Sequence, residues 1–186
     1  MHYSSGAFKY IAGWLLVFLI RLIPFRAPNI EPVMAALMPY AKRYGIIGGL
    51  MFGTLSIVLF DLATGTMGQW TLITASAYGM VGVGSAIFFR SRSSSRKNYV
   101  LFAVMGTIFY DAATGLSIGP LFFSQPFSEA FFGQIPFTMW HLAGNIAFAL
   151  VLSPALWRWI VINPKFETGH ILRTIQKVHA AKVEVG

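Results

Sequence analysis

Residues 44–63 read YGIIGGLMFGTLSIVLFDLA, an apolar run whose one charged residue is Asp61. A helix of about 20 residues, at about 1.5 Å each, crosses the roughly 30 Å hydrocarbon core of a bilayer. The run therefore predicts a transmembrane helix, and so do residues 7–23, 70–89, 99–114 and 137–161. A shorter apolar segment, residues 29–41, contains Pro32 and Pro39 and predicts a short or re-entrant helix. We expect an all-α membrane protein, a six-helix transmembrane bundle with a short second helix.

The composition also favours lipid over water as the surrounding solvent. Of the 186 residues, 56% are hydrophobic and 11% are charged, whereas a soluble domain carries about 25% charged residues. Cysteine is absent. These values exclude a soluble enzyme, a disulfide-rich secreted domain and a disordered chain. The net charge of +8 is typical of cytoplasmic loops in membrane proteins, so we do not expect nucleic-acid binding.

The positions of the basic residues orient the predicted helices. Residues 63–69 and 115–136 contain no Lys or Arg, and the other connections and the end of the chain are basic (Lys42, Arg43, Arg90, Arg92, Arg96, Lys97, Arg158, Lys165, Arg173, Lys177, Lys182). The positive-inside rule then predicts cytoplasmic N and C termini, with the turn from Arg21 to Arg26 as an external exception. We expect a membrane domain at residues 1–162. Residues 163–186 are expected to form a basic amphipathic cytoplasmic tail, lying on the membrane surface or solvated.

An internal repeat places two aspartates in equivalent positions. Residues 60–65 read FDLATG and residues 110–115 read YDAATG, each copy near the end of an apolar helix. An aspartate within hydrocarbon costs about 2.5–3.5 kcal/mol on insertion scales. Asp61 and Asp111 are therefore expected either to face a wet cavity and bind a ligand, or to cap the Thr-Gly turns that follow them.

The last predicted helix and the external loops supply further candidates for ligand binding. His141 and Asn145 lie four residues apart and share a helical face, next to Trp140. Trp70 and Glu129 lie in external loops, as do Arg26, Asn29 and Glu31. Residues 116–134 predict a long aromatic loop, in which Phe123 and Phe127 belong either to a lid or to an interfacial aromatic belt. No metal site is expected.

The chain resembles the substrate-binding S component of energy-coupling factor transporters. The resemblance covers residues 8–162 and rests on a short second helix and a diffuse motif of Arg21, Ile23, Pro24, Pro28, Asn29, Ile30, Gly49, Gly53 and Asp61. It implies a multi-pass protein of a prokaryotic plasma membrane, without enzymatic activity or cofactor. Such a protein binds a vitamin-like micronutrient in an outward-facing pocket, and a scaffold membrane subunit with two cytosolic ATPases supplies the energy. Ligand-binding positions carried over are Asn29, Asp61, Asp111, Trp140, His141 and Asn145, and the first external loop, with Arg26, acts as a gate.

The resemblance also implies a docking surface of small residues. Ala7, Ala12 and Gly13 are candidates in the first helix, although their spacing differs from the usual small-x-x-x-small motif. Gly49 and Gly53 are candidates in the next span.

The sequence contains no P-loop for nucleotide binding. Two other functions remain open: a self-contained carrier or channel that passes cations or protons through Asp61 and Asp111, and a structural membrane subunit without a ligand.

Overall fold

The computed structural model describes residues 6–24 and 30–184, with side chains described up to residue 177. Within these residues the chain is helical and contains no strand. Seven α-helices follow one another: α1 (Ala7–Arg21), α2 (Val33–Thr64), α3 (Gln69–Phe89), α4 (Arg96–Gly115), α5 (Ile118–Phe123), α6 (Phe127–Leu156) and α7 (Thr168–Glu184). A π-helical turn, Trp157–Val161, and a 3-10 turn, Pro164–Phe166, connect α6 to α7.

Four segments of the described chain are long and apolar enough to cross a membrane. They are Val33–Thr64, Gln69–Phe89, Arg96–Phe123 and Phe127–Val161. Their apolar residues also remain exposed around the outside of the bundle, as lipid-facing side chains would. The predicted all-helical membrane architecture is confirmed at this level. Helix α1 has 15 residues, too few to span the hydrocarbon core unaided, and the count of six crossings stays a prediction.

Helix α2 folds back on itself at Gly45. Gly45 adopts φ 72° and ψ −160°, a left-handed conformation that glycine tolerates best. The ring of Tyr40 stacks on that of Phe52 with centroids 4.3 Å apart, and Leu37 lies against Gly53. In a straight helix residues 37 and 53 would be about 24 Å apart. Residues 33–44 and 46–64 are therefore two antiparallel arms of a hairpin, which we call the first and second arms of α2.

The first arm differs from the predicted segment at residues 29–41. The helix begins after Pro32, which occupies the N-cap position, and continues through Pro39 to the Gly45 turn. Residues 33–41 are all buried. Pro39 is tolerated because membrane helices satisfy the freed backbone groups through their neighbours. The first arm is thus a short helix, as predicted, but it begins at Val33, continues to the Gly45 turn and lies at the centre of the core.

The beginning of α1 and the end of α6 meet at one end of the bundle, together with the Gly45 turn. Lys9 is 1% exposed, and its Nζ donates to the carbonyl of Val161 (2.8 Å) and pairs with Glu167 Oε1 (2.5 Å). Lys42 Nζ donates to the carbonyl of Phe89 at the end of α3 (3.3 Å). Because so many Lys and Arg residues lie here, we call it the basic end, and the opposite end the Asp61 end.

Glycines allow α2 and α3 to approach to backbone contact. A Cβ built on Gly49 would lie 2.4 Å from the carbonyl oxygen of Gly82, and one built on Gly82 would lie 2.1 Å from that of Gly49. A Cβ on Gly53 would lie 2.2 Å from the carbonyl oxygen of Tyr78. Small residues are enriched at such close crossings of membrane helices.

These contacts correct the predicted docking surface. Gly49 and Gly53 are buried inside this chain against α3, and Gly13 is buried against the ring of Tyr40. Of the five candidates, Ala7 is exposed and Ala12 is partly exposed. The five residues therefore do not form one surface, because the glycines serve packing within the chain.

The predicted aromatic loop at residues 116–134 is also wrong. The chain forms α5 there and then begins α6 at Phe127, ten residues before the predicted start at residue 137. Pro126 lies at the N-cap position and Glu129 in the first turn, where a negative charge favours a helix. Phe123 and Phe127 are 66% and 60% exposed. The tail beyond residue 163 contains the helix α7, and the predicted boundary between the two parts stays a prediction.

Candidate functional site

Asp61 joins the end of α2 to the beginning of α3. Its Oδ2 accepts a hydrogen bond from Thr71 Oγ1 (2.7 Å), and its Oδ1 lies 3.5 Å from Thr66 Oγ1. Thr71 Oγ1 also accepts from the backbone N–H of Gly68 (3.1 Å). Among the described residues, the Asp61 carboxylate therefore bonds threonine hydroxyls and not the backbone N–H groups that the predicted capping role requires. Its Oδ1 retains acceptor capacity because the Thr66 contact is at the limit of a hydrogen bond.

Asp111 has a different partner from its counterpart in the repeat. Its Oδ1 lies 2.6 Å from His141 Nδ1, and the two side chains are 1% and 4% exposed. Because a carboxylate oxygen accepts, Nδ1 is the donor and Nε2 is left for another partner. Asp111 therefore does not cap the turn that follows it but ties α4 to α6.

A second hydrogen bond runs parallel to this pair. Asn145 Nδ2 donates to Thr107 Oγ1 (2.8 Å). Thr107 and Asp111 are four residues apart on α4, and His141 and Asn145 are four apart on α6, so each pair shares a helical face. The four side chains form a buried polar ladder between two antiparallel helices.

Arg21 ends α1 at the same level as Asp61. Its guanidinium lies 3.7 Å from the centroid of the Phe60 ring, and its Nη2 lies 3.5 Å from Glu31 Oε1. Stacking on an aromatic face and pairing with a carboxylate both hold a guanidinium in place. Arg21 belongs to the turn that is an exception to the positive-inside rule, and its side chain points into the bundle.

These side chains surround a cavity of about 200 Å³ at the Asp61 end. We call it the polar cavity, and its lining combines charged, hydroxyl-bearing and aromatic side chains from α1, α2, α3, α4 and α6 (Arg21, Glu31, Ile57, Asp61, Trp70, Thr74, Tyr78, Tyr110, Phe137, His141). The Tyr78 and Tyr110 rings lie 4.2 Å apart, and the His141 ring meets Tyr110 edge to face.

Three cavity-lining residues carry buried polar atoms without a hydrogen-bond partner among the described residues. They are Arg21 Nε, Tyr78 Oη and His141 Nε2. Asp111 Oδ2 and Asn145 Oδ1, in the ladder beside the cavity, are also unpaired within the described chain. A buried polar group left unsatisfied costs about 1–3 kcal/mol. Native proteins keep few such groups, and a cluster of them at one cavity points to a binding role.

The cavity includes some of the predicted ligand-binding residues and not others. Asp61, Trp70 and His141 line it, and Asp111 and Asn145 belong to the polar ladder. Trp140 does not line it and is 65% exposed, because it is rotated by about 100° from His141 around α6. Glu129 is exposed and outside the lining, as are Phe123 and Phe127. Arg26 and Asn29 lie outside the described residues.

Sequence reasoning missed Thr74, Tyr78, Phe137, Ile57 and Tyr110. The first two had a detectable signal, since Thr71, Thr74 and Tyr78 recur at helical spacing and place a polar stripe on one face of an otherwise apolar helix. Phe137 had no such signal, because a phenylalanine in a membrane helix most often faces lipid or a neighbouring helix.

No family model, curated protein or solved structure matches this chain. Within the described residues, no group of three or more His, Asp or Glu side chains is placed to hold a metal ion. The polar cavity presents carboxylates, a guanidinium, an imidazole, hydroxyls and aromatic rings. These groups can accept hydrogen bonds from a polar ligand, donate hydrogen bonds to it and pack against its flat faces.

Proposed function

We propose that this protein is a membrane-embedded subunit that captures a small polar ligand in the polar cavity and relies on separate proteins for energy. The observation that carries the proposal is the set of unpaired buried atoms on Arg21, Tyr78 and His141. A bound ligand that pairs with these atoms removes their desolvation cost, so the folded protein gains stability when the ligand binds.

We infer six membrane crossings with both termini in the cytoplasm. Each arm of α2 makes one crossing in this arrangement, and α1, α3, α4 and α6 make the others. Two contacts support it: Glu31, just before the first arm, lies near Arg21, whereas Lys42 near the end of that arm bonds the last turn of α3. Because Lys and Arg concentrate at the basic end, that end faces the cytoplasm and the polar cavity opens outward.

The resemblance to S components suggests which transport system the proposed subunit belongs to. The protein would be the substrate-capture subunit of a micronutrient importer in a prokaryotic plasma membrane, with a scaffold membrane subunit and two cytosolic ATPases as partners. A short second helix and a polar cavity near the outer face are consistent with that role. The absence of a P-loop from the sequence fits a protein that receives energy from elsewhere.

The cavity restricts the size and chemistry of the ligand. Its volume of about 200 Å³ is below the roughly 300–1,000 Å³ of sites for drug-sized molecules. Two carboxylates, Glu31 and Asp61, and one guanidinium, that of Arg21, line it. A compact ligand fits this lining best if it has a flat ring, hydrogen-bond donors or a positive charge for the carboxylates, and an acceptor for Arg21 Nε.

A second candidate function is a self-contained carrier of protons or cations. The buried pair of Asp111 and His141 favours it, since intramembrane carboxylate–histidine pairs occur in proton pathways. Reconstitution of this chain alone in liposomes separates the two functions. A capture subunit produces no cation flux, whereas a carrier produces flux that Asp111→Asn abolishes.

Tyr78→Phe is expected to weaken ligand retention by about twofold to tenfold. The substitution removes one hydroxyl that has no hydrogen-bond partner among the described residues, and a single hydrogen bond contributes about 0.5–1.5 kcal/mol. Native mass spectrometry of protein purified in mild detergent measures the fraction that retains the small molecule. Tyr99→Phe is the matched control, because Tyr99 is also fully buried but does not line the polar cavity.

The two substitutions are expected to leave the melting temperature of the ligand-free protein nearly unchanged. Equal ligand retention by Tyr78→Phe and Tyr99→Phe would contradict the assignment of the cavity. Absence of any bound small molecule from the unmodified protein, even after exposure to a micronutrient library, would contradict the capture function itself.

A further inference from the structure

A second and larger concavity lies at the basic end, beside the Gly45 turn. Its volume is about 1210 Å³, and it is lined by residues 41–48 of α2, by Ala86, Ile87, Phe89 and Arg90 of α3 and its end, and by Trp157. We call it the basic groove. Its lining includes three cations and no acidic residue, in contrast to the polar cavity.

The Gly45 turn keeps this groove open. A Cβ built on Gly45 would have no atom within 4 Å, so the backbone reverses here without packing against a neighbour. The second arm of α2 begins at the groove, whereas the first arm and α3 end there, so helix ends of both polarities meet at this place. The charge of the groove is therefore set by its side chains.

Two of the three cations are free to bind an external anion. Lys42 is engaged, because its Nζ donates to the carbonyls of Phe89 (3.3 Å) and Arg92 (2.5 Å). Arg43 and Arg90 are exposed and make no ion pair within the described residues. Arg43 has only a loose contact with the Tyr44 ring, 5.9 Å from its centroid.

The groove also has an apolar wall directly below these arginines. Ile46, Ile47 and Ile87 line it and are 53%, 76% and 60% exposed. Exposed isoleucines next to exposed arginines mark the level at which the hydrocarbon core meets the headgroups. A ligand that fills this groove therefore needs an anionic head and an apolar chain.

We propose that the basic groove binds an anionic phospholipid of the cytoplasmic leaflet. Arg43 and Arg90 contact its phosphate, and an acyl chain lies along Ile46, Ile47 and Ile87. Charge complementarity favours this occupant over a zwitterionic lipid, whose own positive group would meet two arginines. Basic pockets between membrane helices on the cytoplasmic side are known to take acidic headgroups.

The test compares phosphatidylglycerol with phosphatidylcholine of the same acyl chains, added to the full-length protein in detergent micelles. Native mass spectrometry counts retained lipids, and thermal unfolding measures stabilisation. We expect phosphatidylglycerol to bind preferentially, and Arg43→Gln and Arg90→Gln each to weaken its binding about fivefold. Arg96→Gln and Lys97→Gln are matched controls, because both residues are exposed at the beginning of α4, outside the groove.

Four outcomes would overturn the proposal. Equal retention of the two lipids would show that the groove does not select an anionic headgroup. Equal losses in the control variants would assign the effect to general surface charge. The same stabilisation by glycerol 3-phosphate alone would assign the site to a soluble phosphate. If Arg43→Gln and Arg90→Gln leave lipid binding intact but abolish association with a protein subunit, the groove is a protein interface and the lipid proposal is wrong.

Discussion

Asp111→Ala is expected to lower the free energy of unfolding by about 3 kcal/mol. The substitution leaves His141 Nδ1 buried without its acceptor, and a hydrogen bond to a charged group contributes about 1.5–3 kcal/mol. A neutral hydrogen bond between membrane helices contributes only about 0.6 kcal/mol on average. The distance of 2.6 Å and the near-complete burial of both side chains favour the larger value. Unfolding in mixed micelles under increasing denaturant measures the change.

A double-mutant cycle with His141→Ala isolates the pair from the cavity that each truncation creates. The cycle is expected to give a coupling energy above about 2 kcal/mol, because direct partners couple strongly. Asp111→Asn is the matched control, since its amide oxygen can still accept from Nδ1 and its volume is nearly unchanged. A coupling energy near 0.6 kcal/mol would mean that the pair is an ordinary interhelical hydrogen bond and that Asp111 has no special role in the site.

Gly82→Ala is expected to destabilise the protein by about 2 kcal/mol. Its new Cβ would lie 2.1 Å from the carbonyl oxygen of Gly49 and 2.4 Å from its carbonyl carbon, and these backbone atoms move only if α2 and α3 separate. Overpacking of this kind costs about 1–3 kcal/mol. The separation also moves Tyr78 relative to the second arm of α2, so ligand retention is expected to fall with stability. Thermal unfolding and native mass spectrometry on the same sample measure both effects.

Gly84→Ala is the matched control for this substitution. Gly84 lies on the same helix, but its Cβ would meet only the Phe102 ring, at 3.9 Å, which is an ordinary contact. Because alanine favours a helix over glycine by up to about 1 kcal/mol, Gly84→Ala is expected to be neutral or slightly stabilising. Equal behaviour of the two variants would show that α2 and α3 do not cross at the Gly49–Gly82 contact.

Local sequence patterns predicted the helices better than their connections. Length and apolar composition identified the spans because the bilayer imposes both. Composition placed the beginning of α6 at residue 137 rather than at Phe127. Pro136 and Gly133 are typical of loops in water, but membrane helices tolerate them. The reversal at Gly45 depends on a positive φ that many residues could not adopt, yet one glycine among several in residues 44–53 does not reveal which of them turns.

Local sequence patterns also predicted only part of the candidate site. Helical spacing placed His141 and Asn145 on one face, and the structure puts both on the inner side of α6. Trp140 was predicted to bind the ligand but does not line the cavity. Adjacent residues on a helix point in directions about 100° apart, so Trp140 and His141 cannot share a face. The repeat predicted similar roles for Asp61 and Asp111, but the partners come from different elements: Thr71 on the following helix and His141 on α6. Partners brought together by tertiary packing are not encoded in a local motif.

The most direct test of an outward-facing wet cavity uses single cysteines, because the chain contains none of its own. Thr74→Cys places a thiol in the polar cavity, and Ser76→Cys places one at similar depth on the exposed outer side of α3. A membrane-impermeant thiol reagent added to intact cells is expected to label Thr74→Cys and to leave Ser76→Cys unlabelled in lipid. Labelling of Thr74→Cys only after the cells are permeabilised, or of neither thiol under any condition, would contradict the account.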